Sequence, residues 1–250
     1  MKALSNTLRL LIAVSLTLAW LGTVSASPSL SFGRRIALLH STSANWAGYA
    51  IETNLTKPAK NAVSDVSGQW TVPTLNCTRA TTYSSAWVGL DGYSSNSVEQ
   101  LGTEQDCYRG QPQYSAWIEM YPRPSRSLNV RVKAGDVIKA SVHYAGNYRY
   151  VLSLADLTTG SSFSTSDYAI ADRSSAEWIV EAPSSWFGEL PLANFSPINF
   201  TNAQTTVNGV TGSISGSWQN DPLTMIDGGA KAVPSALLAG GQNFNVSRAN

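Results

Sequence analysis

The sequence predicts an all-β fold, a sandwich of two antiparallel sheets, and three observations carry that prediction. From Asn45 onward the composition turns to Trp, Tyr, Val, Thr, Ser and Gly with few helix formers, the residues of short strands and turns. Apolar residues recur at alternate positions, as in Ile138, Ala140, Val142 and Tyr144 with Lys139, Ser141 and His143 between them, so each such strand has one apolar face. No amphipathic helical period follows the N-terminal segment, and no tandem repeat of solenoid length is present. Short strands of this kind bury their apolar faces by stacking as two layers.

Taken in order, the chain opens with Lys2 and Arg9, an apolar run from Leu10 to Leu21, and the small residues of Val24-Ser25-Ala26. That is the pattern of a secretory signal, residues 1–26, cut after Ala26. It is short and wrongly flanked for a spanning helix, and no later stretch reaches the roughly 20 apolar residues one needs. The mature protein is therefore expected to be secreted and free of membrane. Residues 27–42 hold Pro28 and the pair Arg34-Arg35 with little periodicity, and read as a short leader or pro-segment. Residues 43–250 are expected to form a single domain, long enough to bury a core of its own.

Within that domain strands are expected over 46–52, 64–72, 84–90, 115–121, 128–132, 137–144, 148–156, 176–181, 196–200, 212–218 and 244–247. Most are bounded by turn-forming clusters such as Ala134-Gly135-Asp136, Gly146-Asn147 and Thr159-Gly160-Ser161. The most informative is Ala176-Glu177-Trp178-Ile179-Val180-Glu181. Its alternation sets Glu177, Ile179 and Glu181 on one face, and Trp178 and Val180 on the other.

Charged residues are 13% of the 250, and the formal net charge is +1. No basic patch points to nucleic acid and no charge run to an anionic membrane. Few charges also mean little self-repulsion once carboxylates protonate, so acid surroundings are tolerable. The two cysteines, Cys77 and Cys107, follow the signal, and an even pair in an exported chain is expected to form a disulfide. Asn54, Asn76, Asn194, Asn199 and Asn245 stand in Asn-x-Ser/Thr sequons, open to glycosylation in a eukaryotic source.

Several hydrolytic chemistries are excluded by residue type. Only His40 and His143 occur; the first falls in the leader and the second on the polar face of a strand. That leaves no zincin site, no multi-histidine metal site and no Gly-x-Ser-x-Gly elbow with its triad. Paired Asp-Thr/Ser-Gly motifs are also absent. A hydrolase of this composition must work with Glu, Asp, Gln, Tyr or Trp.

Blocks in one order along the chain resemble the glutamic peptidases of the G1, or eqolisin, family. They are Ser43-Ala44-Asn45-Trp46-Ala47-Gly48-Tyr49, Val66-Ser67-Gly68-Gln69-Trp70, Ala86-Trp87-Val88-Gly89-Leu90-Asp91-Gly92, Val98-Glu99-Gln100-Leu101-Gly102, Tyr114-Ser115-Ala116-Trp117-Ile118-Glu119-Met120-Tyr121-Pro122, the 176–181 strand, and Phe195-Ser196-Pro197-Ile198-Asn199-Phe200. The resemblance implies two long, curved antiparallel sheets and an acid-acting endopeptidase on polypeptide substrates, without cofactor or metal, as a monomer. It places the catalytic glutamine at Gln100 and the catalytic glutamate at Glu181. Glu119 becomes an active-site neighbour that orients the site, with Asp91 and Glu177 as supporting residues and Trp46, Trp87 and Trp117 near the cleft. Gln69 is a rival glutamine, read as structural or cleft-lining, and Glu177 a rival carboxylate on the same face as Glu181. Ser115 and Met120 depart from the fungal pattern, which has Asp and Trp there.

The chemistry suits those residue types. A carboxylate takes a proton from the attacking water and returns it to the leaving amine, while an uncharged amide offers two N–H donors to the oxyanion. Composition alone fits a second class, a secreted β-sandwich glycosidase or carbohydrate-binding module, in which Glu119 and Glu181 would be the carboxylate pair. Gln100 separates the two classes, because glycoside hydrolysis has no need of it.

Overall fold

The computed structural model describes residues 32, 35, 41–185, 188–238 and 240–249. The expected signal, 1–26, and most of the expected leader, with His40, lie outside the described residues. Among them there are strands and turns but no α-helix: β1 (Thr42–Ser43), β2 (Trp46–Glu52), β3 (Val63–Thr71), β4 (Ser85–Leu90), β5 (Val98–Tyr108), β6 (Gln111–Tyr121), β7 (Arg126–Leu128), β8 (Val137–Tyr144), β9 (Arg149–Asp156), β10 (Ser162–Tyr168), β11 (Ser175–Glu181), β12 (Ser184–Ser185), β13 (Gly188–Glu189), β14 (Ile198–Val207), β15 (Val210–Ser213), β16 (Gln219–Ile226), β17 (Ala230–Pro234) and β18 (Phe244–Arg248).

One hydrogen-bonded path runs β10-β9-β8-β3-β14-β18-β17-β16-β2-β11-β4-β5-β6-β7. It folds over at β16, whose 219–223 half pairs with β2 and whose Met225 and Ile226 pair with β17. Two layers result, a first sheet from β16 through β11 to β7 and a second from β10 through β14 to β17. Every pair along the path is antiparallel; β1 alone pairs in parallel, on β16.

The layers meet because alternation gives each an apolar face. Ala47, Tyr49 and Ile51 of β2, Val88 of β4, Leu101 of β5 and Trp178 and Val180 of β11 share one core with Val66, Trp70, Val142, Leu152 and Phe200 of the second sheet. Each buried aromatic removes roughly 150–250 Å² from water, worth gross about 4–6 kcal/mol at ~25 cal/mol per Å². Two of the indole N–H groups in this core are satisfied across the gap: Trp178 donates to the Ser67 carbonyl at 2.8 Å, and Trp70 to the Thr103 hydroxyl at 2.9 Å. The expected disulfide is present, joining Cys77 to Cys107 at the far end of β5.

The expected strands over 46–52 and 137–144 coincide with β2 and β8. Others shift. The strand expected at 128–132 is replaced by β7, which starts two residues earlier and ends four residues earlier, although Leu128 and Val130 still turn into the core. The strand expected at 212–218 ends at Ser213, where Ile214 and Trp218 drop into the core as a turn closed by the indole on the Ile214 carbonyl. Sequence patterning misses β5, β10, β16 and β17 altogether, and with them the two-residue strands β1, β12 and β13.

Candidate active site

The outward face of the first sheet carries a second, smaller apolar cluster: Trp46, Ala50, Trp87, Val98, Trp117, Ile179 and Leu223, with Phe32. Strand register orders this face into rows. One row reads Asp221, Ala50, Glu177, Gly89, Gln100, Glu119; the next Leu223, Gly48, Ile179, Trp87, Gly102, Trp117; the third Trp46, Glu181, Ser85, Glu104, Ser115. Directly paired residues share a face, so every sequence-expected site residue in these rows is on one surface. Trp46, Trp87 and Trp117 are buried, as core tryptophans would be, but they are buried in this cluster and not between the sheets.

Trp87 ties two rows together. A methyl group placed at Gly89 would lie 3.0 Å from its six-membered ring, while its indole N–H donates to Glu181 Oε2 at 2.9 Å. Space for this indole comes from Gly102, where a Cβ would stand 2.6 Å from Trp87 Cβ and 2.2 Å from the Ala86 carbonyl oxygen. Trp46 packs edge-on against Trp87 with centroids 4.9 Å apart.

Glu181 receives a second donor, Asn45 Nδ2, on Oε1 at 3.2 Å. The orientation of that amide is set by Ser43, whose hydroxyl donates to Asn45 Oδ1 at 2.9 Å and accepts from the Trp46 N–H at 3.1 Å. Glu181 therefore has at least one N–H donor on each oxygen, an arrangement that suits a carboxylate.

Gln100 is wholly buried, and its Nε2 donates to Glu119 Oε2 at 2.8 Å and to the backbone carbonyl of Phe32 at 3.1 Å. Burial pushes the Glu119 carboxyl up to about 8, against the lowering pull of the Gln100 hydrogen bond. It is neutral in acid, and it fixes which way the Gln100 amide faces.

Glu177 stands level with Gln100 across Gly89. Burial holds its carboxyl well above the usual range, despite a lowering contribution from Ser175. Charging a carboxylate so far from water costs several kcal/mol, so this group keeps its proton. Asp91, at a left-handed φ of 68° after β4, is a latch. Its carboxylate accepts from the backbone N–H of Arg173 at 2.6 Å and of Ser174 at 2.8 Å, which fixes the chain entering β11. Its carboxyl too is raised by burial, with those hydrogen bonds opposing.

Gln69 belongs elsewhere: it lies on β3 and lines a shallow groove on the outer face of the second sheet with Ser67, Lys139, Asn202 and Gln204. The cleft-lining alternative for it is thereby corrected. His143 is half-exposed on β8 and pairs with Asp65 at 2.5 Å. Among the described residues no three His, Cys, Asp or Glu side chains are grouped to hold a metal ion.

Sequence reasoning overlooked the far end of the cleft. There the Tyr93 hydroxyl donates to Asp221 at 2.6 Å, Ser41 also hydrogen-bonds Asp221, and Ser94 hydrogen-bonds Glu52. Burial raises the Glu52 carboxyl to about 7, offset in part by the Ser94 bond. No local pattern joins Tyr93 to a residue 128 positions away. Asn45 was visible only as a member of its block, since its role depends on a turn the pattern does not disclose.

Comparison with known proteins gives a consistent picture. Residues 44–248 match the Peptidase A4 family. Over 195 residues the chain is 30% identical to Aspergillopepsin-2 of Aspergillus niger, covering 68% of this chain and 66% of that protein, just under two thirds of its length. Scytalido-glutamic peptidase, solved with a transition state analog inhibitor, superposes with a TM-score of 0.69 at 25% identity, over 82% of this chain and 98% of that one. Aspergilloglutamic peptidase from Aspergillus niger superposes with a TM-score of 0.57 at 28% identity, over 67% and 99%.

Proposed function

The chain belongs to the Peptidase A4 family, the eqolisin glutamic peptidases, and from that premise we propose that it is a secreted, acid-acting endopeptidase in which Glu181 activates water and Gln100 holds the oxyanion. The observation that carries this reading is the 3.1 Å hydrogen bond from Gln100 to a peptide carbonyl, that of Phe32. An amide already aimed at a peptide carbonyl is the donor an acyl-transfer transition state needs. Family membership sets aside the glycosidase and carbohydrate-binding alternatives.

In this mechanism the water oxygen bonds to the scissile carbonyl carbon while Glu181 takes its proton. The carbonyl oxygen becomes an oxyanion against Gln100 Nε2. Glu181 then delivers the proton to the amide nitrogen, the C–N bond breaks, and acid and amine separate. Glu119, neutral below about pH 8, turns the Gln100 amide toward the substrate without setting a negative charge beside the oxyanion. A charge there, about 5 Å away at an effective dielectric near 20, would oppose the transition state by about 3 kcal/mol. Glu177 is the poorer base, because burial keeps it protonated. Export follows from the signal pattern of residues 1–26, with 27–42 as leader and 43–250 as the working domain.

The test is to incubate the purified protein with denatured casein and with a polysaccharide panel between about pH 2 and 7, bracketing the reference carboxylate pKa values. Proteolysis in acid that survives chelators and serine- and thiol-directed reagents is expected. Glu181→Gln should abolish it, Gln100→Ala should lower turnover by about 10²–10³, and Glu177→Gln should be milder than either. Polysaccharide cleavage without proteolysis, or full activity in Glu181→Gln, would overturn the reading.

A further inference from the structure

The cleft holds part of its own chain. Phe32, from the N-terminal segment, is 1% exposed, and its ring stacks on Trp117 at 4.0 Å and 13°. Its carbonyl oxygen is the one that Gln100 grips. Three residues later the Arg35 N–H donates to the Gly92 carbonyl at 3.1 Å. The Arg35 guanidinium lies 4.3 Å over the Tyr93 ring and 3.5 Å from the Asp221 carboxylate, itself 1% exposed. Glu52 faces the same pocket, since the Arg35 charge pulls its carboxyl down against burial. Phe32 and Arg35 thus make one stacking, two cationic and two backbone contacts, Phe32 beside Gln100 and Arg35 beside Asp221.

We propose that these contacts mark two substrate subsites: an aromatic one at Trp117 for the residue whose carbonyl meets Gln100, and a cation-binding one at Tyr93 and Asp221 for the third residue beyond the cut bond. This deepens the function proposed above and rests on it. A carbonyl held by the oxyanion donor belongs to the residue preceding the scissile bond, so Phe32 takes that place, and the bond that follows it in the sequence is the one expected to be cut. Hydrolysis there adds water oxygen to the Phe32 carbonyl carbon, breaks the bond to the Gly33 nitrogen and passes the proton to that nitrogen through Glu181. Stacking contributes beyond simple burial. A cation over an aromatic ring beside a buried carboxylate gains from both and loses both when neutral. The Asp221 pocket would repel an acidic residue.

The experiment uses the purified wild-type protein at acid pH and a synthetic peptide with the sequence of residues 28–37. Three further peptides replace the phenylalanine by Ala, or the arginine at position 35 by Ala or by Glu. Cleavage between the residues corresponding to Phe32 and Gly33 is expected by mass spectrometry. Loss of the aromatic ring or of the cation should each lower kcat/KM by about 10-fold, and Glu should be worse than Ala. In Asp221→Asn the ratio of kcat/KM for the Arg and Ala peptides should move toward unity. Equal rates for all four peptides, or cutting at another bond, overturn the subsites while leaving the peptidase intact. Failure of folded protein to cut casein or any peptide overturns the function on which they rest. The wild-type peptide series decides the question even if Asp221→Asn does not fold.

Discussion

The Trp87 indole reaches from the Gln100 row to the Glu181 carboxylate, so a single side chain bears on both members of the proposed dyad. A hydrogen bond to a charged group contributes about 1.5–3 kcal/mol. Trp87→Phe keeps most of the ring and loses the donor, and is expected to lower kcat by about 10–100-fold in steady-state assays and to cost about 1–3 kcal/mol of stability in urea unfolding, because a buried carboxylate oxygen loses its partner; an unaltered kcat would show that the indole N–H is idle. Gly102→Ala acts by crowding. The added carbon meets the Ala86 carbonyl oxygen and the Trp87 backbone, which cannot swing aside, so a stability loss of about 1–3 kcal/mol is expected from urea unfolding. Neither effect was legible in the sequence, although the residues were. Gln100, Glu119, Glu177 and Glu181 could be named from their blocks and alternation, but the donors Asn45 and Trp87 acquire their meaning only when register sets three strands side by side.

At the level of elements, β5 shows why the fold was legible in part. Its Glu99, Glu104 and Asp106 are types depleted from strands, Gln100 and Gln105 add no apolar alternation, and the strand exists because neighbours on both sides bury it and burial raises its carboxyls. Burial holds Glu99 well above the usual carboxylate range and raises Glu104 and Asp106 as well, the charge of Glu104 adding to the rise at Asp106. By contrast β2 and β8 were delimited correctly, since aromatic and β-branched residues there agree with the tertiary environment. The bridge at Cys107 anchors β5 at its far end, seven residues and roughly 24 Å from Gln100 at ~3.4 Å per residue. Replacing both cysteines by serine should cost about 3–4 kcal/mol by the chain-entropy estimate and lower Tm by about 10 °C. Activity per folded molecule should persist, and a calorimetric scan beside a casein assay separates the two. Equal loss of both would mean that the bridge supports the cleft.

For the molecule as a whole, at least seven of the sixteen acidic side chains, Glu52, Asp91, Glu99, Glu104, Asp106, Glu119 and Glu177, have carboxyls raised by burial. In the unfolded chain such groups titrate near pH 4, whereas in the folded one Glu52 holds its proton to about pH 7 and Glu119 to about pH 8. The unfolded state sheds protons first, so their contribution to stability is complete below about pH 4 and is lost as pH rises through 7 and 8. Urea midpoints should therefore be higher at pH 3.5 than at pH 8; the reverse order would mean that these groups ionise without cost. The corner strand β16 has a different reach. Its first half is paired into the cleft floor, its second half into the opposite sheet, and β1, which leads to Asn45, lies along it. Neither layer can melt while the other stays whole, because β16 would have to be native and frayed at once. Amide hydrogen exchange should then give strands β2 and β11 the same opening free energy as β3 and β14, with early exchange confined to β7 and β10, where the hydrogen-bonded path ends.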